Sequence, residues 1–112
     1  MLLVSAIASF AIVQYLQPPK WHMIRAGILR ELEQGKERHL VIVRYGQNHS
    51  VRQEWVYNRA DIDGAKVVWA REMGPQADRE LLDYFNDRRV LLLQADQLPR
   101  HLTPYPGSGN NR

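Results

Sequence analysis

Five side chains in the middle of this chain have types and spacing suited to gripping an anion: Arg44, Tyr45, His49, Arg52 and Arg71. Arg44 and Tyr45 close the run HLVIVRYG (39–46), and His49 and Arg52 follow in the polar loop after it. Arg71 closes a second apolar run, KVVWAR (66–71). A guanidinium presents a planar fork of donors that matches a phosphate or carboxylate bidentately. Two such groups on one rim would suit an anionic ligand. The alternative is an internal rim network in which Arg44 or Arg71 pairs with Glu54, Asp61 or Asp96. Asn48, Glu72, Arg100 and His101 belong to the same set of strand-end residues.

Catalytic chemistry is harder to assemble, and no catalytic residue is assigned. His49 could act as a general base beside Glu54, but no nucleophile is placed next to it, and Ser50 is merely its neighbour in sequence. Gly46 is the sole glycine in the loop directly after the first apolar run, so neither a phosphate-binding loop nor a dinucleotide fingerprint is present. The four histidines lack HxH or HxxxH spacing, Asp61 and Asp63 have no third ligand at firm spacing, and there is no cysteine. No metal and no cofactor are expected. Trp55, Tyr57 and Trp69 could stack on a sugar or base, although in so small a domain such rings more often fill the core.

The elements that must position these groups follow from periodicity. Residues 20–34 carry apolar side chains at Ile24, Ile28, Leu29 and Leu32, a helical stripe, with Arg25, Arg30, Glu31 and Glu33 off it and Gly35 as its stop. Leu40–Val43 is a continuous, mostly β-branched run, the mark of a strand covered on both faces. Residues 54–57 read as extended or as a short edge strand, and 59–65 as a short helical turn capped by Asn58. A second strand spans 66–71. After the Gly74-Pro75 break, residues 76–86 form a helix with Leu81, Leu82 and Phe85 inward and Asp78, Glu80 and Asp83 outward. A third strand spans 88–94, and the proline-rich end from Leu98 runs extended over the surface. Strands alternating with helices predict an α/β fold: a small three-layer, Rossmann-like half unit with a three-stranded, mainly parallel sheet, preceded by an apolar N-terminal helix.

All 27 charged residues (15 basic and 12 acidic) lie after Pro19. From Lys20 to Ala60 there are eight basic and four acidic residues, an excess of +4 beside the apolar start; from Asp61 onward there are seven and eight, an excess of −1. This charge suits anionic lipid headgroups, and no nucleic-acid partner is expected. Residues 1–19 barely reach the length of a bilayer span, and Pro18-Pro19 ends any helix there. A signal peptide would need a basic start, which is missing. A core helix would need a polar face. A transmembrane helix, or the surviving end of one whose start is missing, fits best. The chain therefore divides into an apolar, membrane-spanning segment (1–19), an α/β domain (20–106) and a disordered tail (107–112). Lys20, Arg25 and Arg30 beyond the apolar segment point weakly to a cytoplasmic body.

The runs HLVIVRYG, EWVYNRADIDGAKVVWARE, ELLDYFNDRRVLLLQAD and LPRHLTPYP together resemble the C-terminal soluble tail of large bacterial multi-span membrane proteins. Those proteins are themselves similar to glycosyltransferases that use lipid-linked sugar donors. The resemblance covers residues 24–106 and is most specific over 54–71. It implies a tail that follows the last membrane helix, with catalytic acids in loops between early spans that this sequence does not include. It implies a bacterial inner-membrane location and, as partners, the membrane through residues 1–19 and the remainder of a multi-span protein. It also implies an extracytoplasmic body, the opposite of the charge signal, and the side stays open. The first functional expectation is a non-catalytic domain of a glycosyltransferase-like membrane protein. The alternative is a single-span module that binds a nucleotide sugar or lipid phosphate at its strand ends.

Overall fold

The computed structural model describes residues 20–50, 52–98 and 100–106. The expected apolar helix over 1–19 and the expected disordered tail over 107–112 lie outside them. Among the described residues no helix is long and apolar enough to cross a membrane.

The chain forms helix α1 (Trp21–Gln34), strand β1 (His39–Arg44), strand β2 (Val67–Arg71), helix α2 (Pro75–Tyr84), strand β3 (Arg89–Gln94) and strand β4 (Leu102–Pro104). The sheet order is β2-β1-β3-β4. β1 is parallel to both neighbours, with His39 beside Val67 and Arg89; β4 is antiparallel to β3, with Leu93 beside Leu102. The sheet is thus mixed and four-stranded, where three strands were expected. The fourth was hidden because three residues ending in proline carry no strand signature; β4 exists because its backbone pairs with β3, and Pro104 suits an edge.

Leu40, Val41, Ile42 and Val43 are all fully buried, which is why β1 reads as an unbroken apolar run. Each such side chain contributes about 1.5–3 kcal/mol of burial free energy. Alternation along the strands separates two cores. Val41, Val43, Val67, Trp69 and Leu93 face Trp55 and the α1 stripe of Ile24, Ile28, Leu29 and Leu32. Leu40, Ile42, Val68, Val90 and Leu92 face Phe85, Leu81 and Leu82 from α2. The layers are therefore helix, sheet, helix.

α1 ends at Gly35, which is extended (φ −79°) rather than left-handed. Gly74, before α2, has φ +109°, a backbone conformation that disfavours side chains, and Pro75 follows as the first helical residue. Residues 54–57 join no ladder, and 59–65 form a bend and turn rather than a helix. There Gly64 N–H donates to Asp61 Oδ1 at 3.1 Å. Asn58, expected as a helix cap, has a different task. Its carboxamide donates to Trp69 O and accepts from Trp69 N–H, both at 2.8 Å. It thereby closes the free edge of β2.

Arg25 lies on the α1 stripe and is buried. It donates to Trp55 O and Tyr57 O, each at 2.7 Å, and stacks between the rings of Tyr57 and Trp69, 3.5 and 4.1 Å from their centroids. Burial lowers its pKa, against an opposing contribution from Tyr57. At the other end of the sheet the buried Arg88 donates to four carbonyls: His39 and Lys66 at 3.2 and 3.3 Å, Ile62 and Asp63 at 3.5 and 3.1 Å. Burial lowers its pKa as well.

Candidate functional site at the strand ends

In open parallel sheets the crevice forms where neighbouring strands send their connections over opposite faces. β1 and β2 meet that condition. The connection from β1 crosses the α1 face, where Trp55 and Val56 pack. The connection from β2 is α2, on the other face. In the order β2-β1-β3 the strand order reverses at β1, so the carboxyl ends of β1 and its two neighbours frame the candidate site.

Alternation decides which face each rim residue takes. Val43 faces the α1 side, so Arg44 turns to the α2 side and Tyr45 returns to the α1 side. Trp69 faces the α1 side, so Arg71 does too and Glu72 faces α2. Arg44 and Arg71 share the rim but project to opposite faces of the sheet. The structure does not bring them together on one anion.

On the α2 side, Arg44 Nε and Nη2 donate to the two Glu72 carboxylate oxygens, both at 2.8 Å. This bond to Glu72 outweighs burial and raises the Arg44 pKa. The partner is Glu72, not the Glu54, Asp61 or Asp96 considered for it in a rim network. Glu72 is adjacent because its N–H continues the ladder to Val43 O at 2.9 Å. Beside this pair lies a cleft of 460 Å³, lined by Arg44, Glu72, Asp78, Arg79, Leu82 and Tyr105 among others. Asp78, expected to point outward, is 3% exposed. Its Oδ1 accepts from Met73 N–H at 2.9 Å and its Oδ2 from the Tyr105 hydroxyl at 2.9 Å. These bonds satisfy the buried carboxylate. Burial, and then the hydrogen bond to Asp78, push Tyr105 up to about 12.

On the α1 side, the Tyr45 hydroxyl donates to Glu54 Oε1 at 2.9 Å and accepts from Trp55 N–H at 3.0 Å. Burial and the Glu54 contact raise its pKa. The His49 ring stacks on Tyr45 with centroids 3.8 Å apart. Its Nδ1 lies 2.7 and 2.9 Å from the Asp96 oxygens and its Nε2 2.7 Å from Gln53 O. Both ring nitrogens face oxygen acceptors, so neither is open to a substrate. Asp96 also accepts from Gly46 N–H at 2.7 Å. Burial pushes the Asp96 carboxyl up, but the bonds from His49 and Gly46 outweigh it and the net pKa is lowered. Arg71 lies 5.2 Å over the Tyr45 ring. Arg100 donates to Ala95 O at 2.7 Å. Arg52 is exposed in the loop after β1, and His101 is exposed beside β4.

Tyr45, His49 and Arg71 therefore gather on the α1 side, while Arg44 stands apart with Glu72. Trp55 and Trp69 are core residues, whereas Tyr57 is 54% exposed. Among the described residues no cluster of three histidine or acidic side chains could hold a metal ion. Sequence reasoning missed Arg79 and Tyr105, because the cleft depends on β4, which places Tyr105 against Asp78. It also placed Arg25 off the stripe, although the spacing Trp21, Arg25, Ile28, Leu32 was a readable signal. No family model, curated protein or solved structure matches this chain.

Proposed function

We propose that this chain is a non-catalytic soluble domain of an integral-membrane, glycosyltransferase-like protein. In this reading residues 1–19 cross the bacterial inner membrane and residues 20–106 form a Rossmann-like half unit that β4 extends at one edge. The observation that carries the non-catalytic assignment is that His49 and the carboxylates at the strand ends are engaged by neighbouring side chains. Arg44 is bound by Glu72, His49 by Asp96, Glu54 by Tyr45 and Asp78 by Tyr105. A general base needs a free lone pair within reach of a substrate proton, and His49 offers none. The uncharged start, and the residue runs that resemble membrane-protein tails, support the membrane assignment.

Two measurements test this. The full chain, purified in detergent, is assayed for sugar transfer from lipid-linked donors; transfer by the chain alone would exclude the non-catalytic role. Transcript mapping across Met1 tests the parentage. Coding sequence for further membrane spans supports it, and a ribosome-binding site directly before Met1 counts heavily against it.

A second reading, an anionic-ligand module, is favoured by the cleft on the α2 side, where Arg44 and Arg79 line a volume next to the start of α2. It predicts a rise in melting temperature with a phosphate or nucleotide sugar that Arg79→Ala abolishes. No shift across a panel of such ligands would sink it.

A further inference from the structure

The end of the sheet that holds the strand carboxyl termini is also the end at which the uncharged segment joins the domain. α1 has 14 residues, a length of about 21 Å. β1 has six, a length of about 20 Å. Four residues (35–38) link them, so the helix runs back along the strand and starts level with the carboxyl end of β1. The contacts agree. Trp21 packs on Trp55 with centroids 5.7 Å apart, and Trp55 N–H bonds to Tyr45, the residue after β1. Lys20 is therefore at the rim, with residues 1–19 immediately before it.

This rim has two further properties. Among the described residues, Lys20, Arg52 and Arg71 form no ion pair with a carboxylate, and Arg100 acts on Asp96 only through its field; the carboxylates there are hydrogen-bonded, Glu54 to Tyr45 and Val56 N–H, Asp96 to His49 and Gly46 N–H. These four cations outnumber the two exposed carboxylates, so the rim carries an excess of positive charge. The rim also displays large apolar side chains. Met23 in the first turn of α1, Met73 after β2 and Leu98 after β3 are 60%, 67% and 78% exposed. Cations interleaved with exposed apolar groups are what an anionic bilayer surface accommodates.

We propose that the strand-end rim, through Lys20, Arg52, Arg71, Arg100, Met23, Met73 and Leu98, docks on the anionic phospholipid surface of the membrane that residues 1–19 enter. The proposal rests on the membrane-tether reading above but adds an orientation to it. The opposite end of the domain, with Gly35 and Arg88, points away from the bilayer.

The cysteine-free sequence permits a direct test with the full chain in vesicles. A single fluorophore is attached at Gln97→Cys, on the rim, or at Gly35→Cys, at the far end, where an added side chain meets nothing within 4 Å. Vesicles of phosphatidylcholine, with or without phosphatidylglycerol, carry a headgroup-attached quencher, and flotation reports association. Docking predicts flotation, with quenching at Gln97→Cys that requires phosphatidylglycerol and exceeds that at Gly35→Cys at least about twofold. High salt abolishes this quenching, as does the pair Arg52→Glu and Leu98→Glu. Both positions are exposed, and an unchanged melting temperature shows that the variant folds. Flotation with equal quenching at the two positions, or with no dependence on phosphatidylglycerol, overturns the docking and leaves the tether standing. Failure to float overturns the tether and the docking with it.

Discussion

Replacing Arg25 by alanine removes a side chain that ties α1, the 55–57 segment and β2 together. The buried Trp55 carbonyl loses its donor at a cost of about 1–3 kcal/mol. The Tyr57 carbonyl is part-buried and regains water, so its loss is small. Loss of the guanidinium sandwiched between Tyr57 and Trp69 costs about 1 kcal/mol more. The sum is about 3 kcal/mol. For a domain of this size that lowers the melting temperature by more than about 12 °C. Arg25→Lys restores a charge but not the fork that reaches two carbonyls, so it recovers at most about half of the loss. Tyr57→Leu, which keeps both hydrogen bonds and removes one ring, costs about 1 kcal/mol or less. The assay is thermal and urea unfolding of the full chain in detergent, followed by tryptophan fluorescence. A loss below about 1 kcal/mol for Arg25→Ala, or a lysine variant as stable as the parent, would refute the claim that this guanidinium holds the α1 layer in place.

Three further predictions follow from named contacts. The Tyr105 pKa is raised in the fold to about 12, so its contribution to stability is complete below the unfolded value near 10 and declines as pH rises from there through 12; Tyr105→Phe flattens that alkaline limb, and absorbance at alkaline pH reports the titration directly. The Asp96 pKa is depressed in the fold, so its contribution is present above the ordinary carboxyl range and is lost as pH falls below about 4; Asp96→Asn reduces the acid loss seen in urea midpoints. Asn58→Ala leaves the Trp69 N–H and carbonyl without their bonds at the edge of β2, costs about 2 kcal/mol and, by light scattering, promotes self-association through that edge.

The strands and helices were legible because their patterns are self-sufficient. Leu40–Val43 and Val90–Leu93 are continuous apolar runs that only a doubly covered strand explains. Leu81, Leu82 and Phe85 mark the inner face of α2 for the same kind of reason. β4 was not legible, because Leu102–Pro104 owes its conformation entirely to the β3 backbone beside it. The strand-end residues were readable from the sequence as a group, since strand ends follow from strand assignments. Their pairing was not. Whether Arg44 meets Arg71 or Glu72 depends on which face each takes, and on a register that places Arg71 beside Val43. Asp78 shows the same limit in the other direction. An acidic residue in a first turn reads as solvent-facing, and it takes the Met73 N–H together with the phenol of the distant Tyr105 to account for its burial.

Arg88 carries a consequence for how the domain is made. Its guanidinium collects carbonyls from the start of β1, the start of β2 and the 62–63 turn, all of which precede it in the chain. β3, which begins at the next residue, supplies the second neighbour of β1. During vectorial synthesis the first two strands therefore emerge without their common tie and with one flank of the central strand open. Cooperative closure waits until residues 88–94 have left the ribosome, and nascent chains stalled before Arg88 are expected to remain protease-sensitive while those stalled well past Pro106 are resistant.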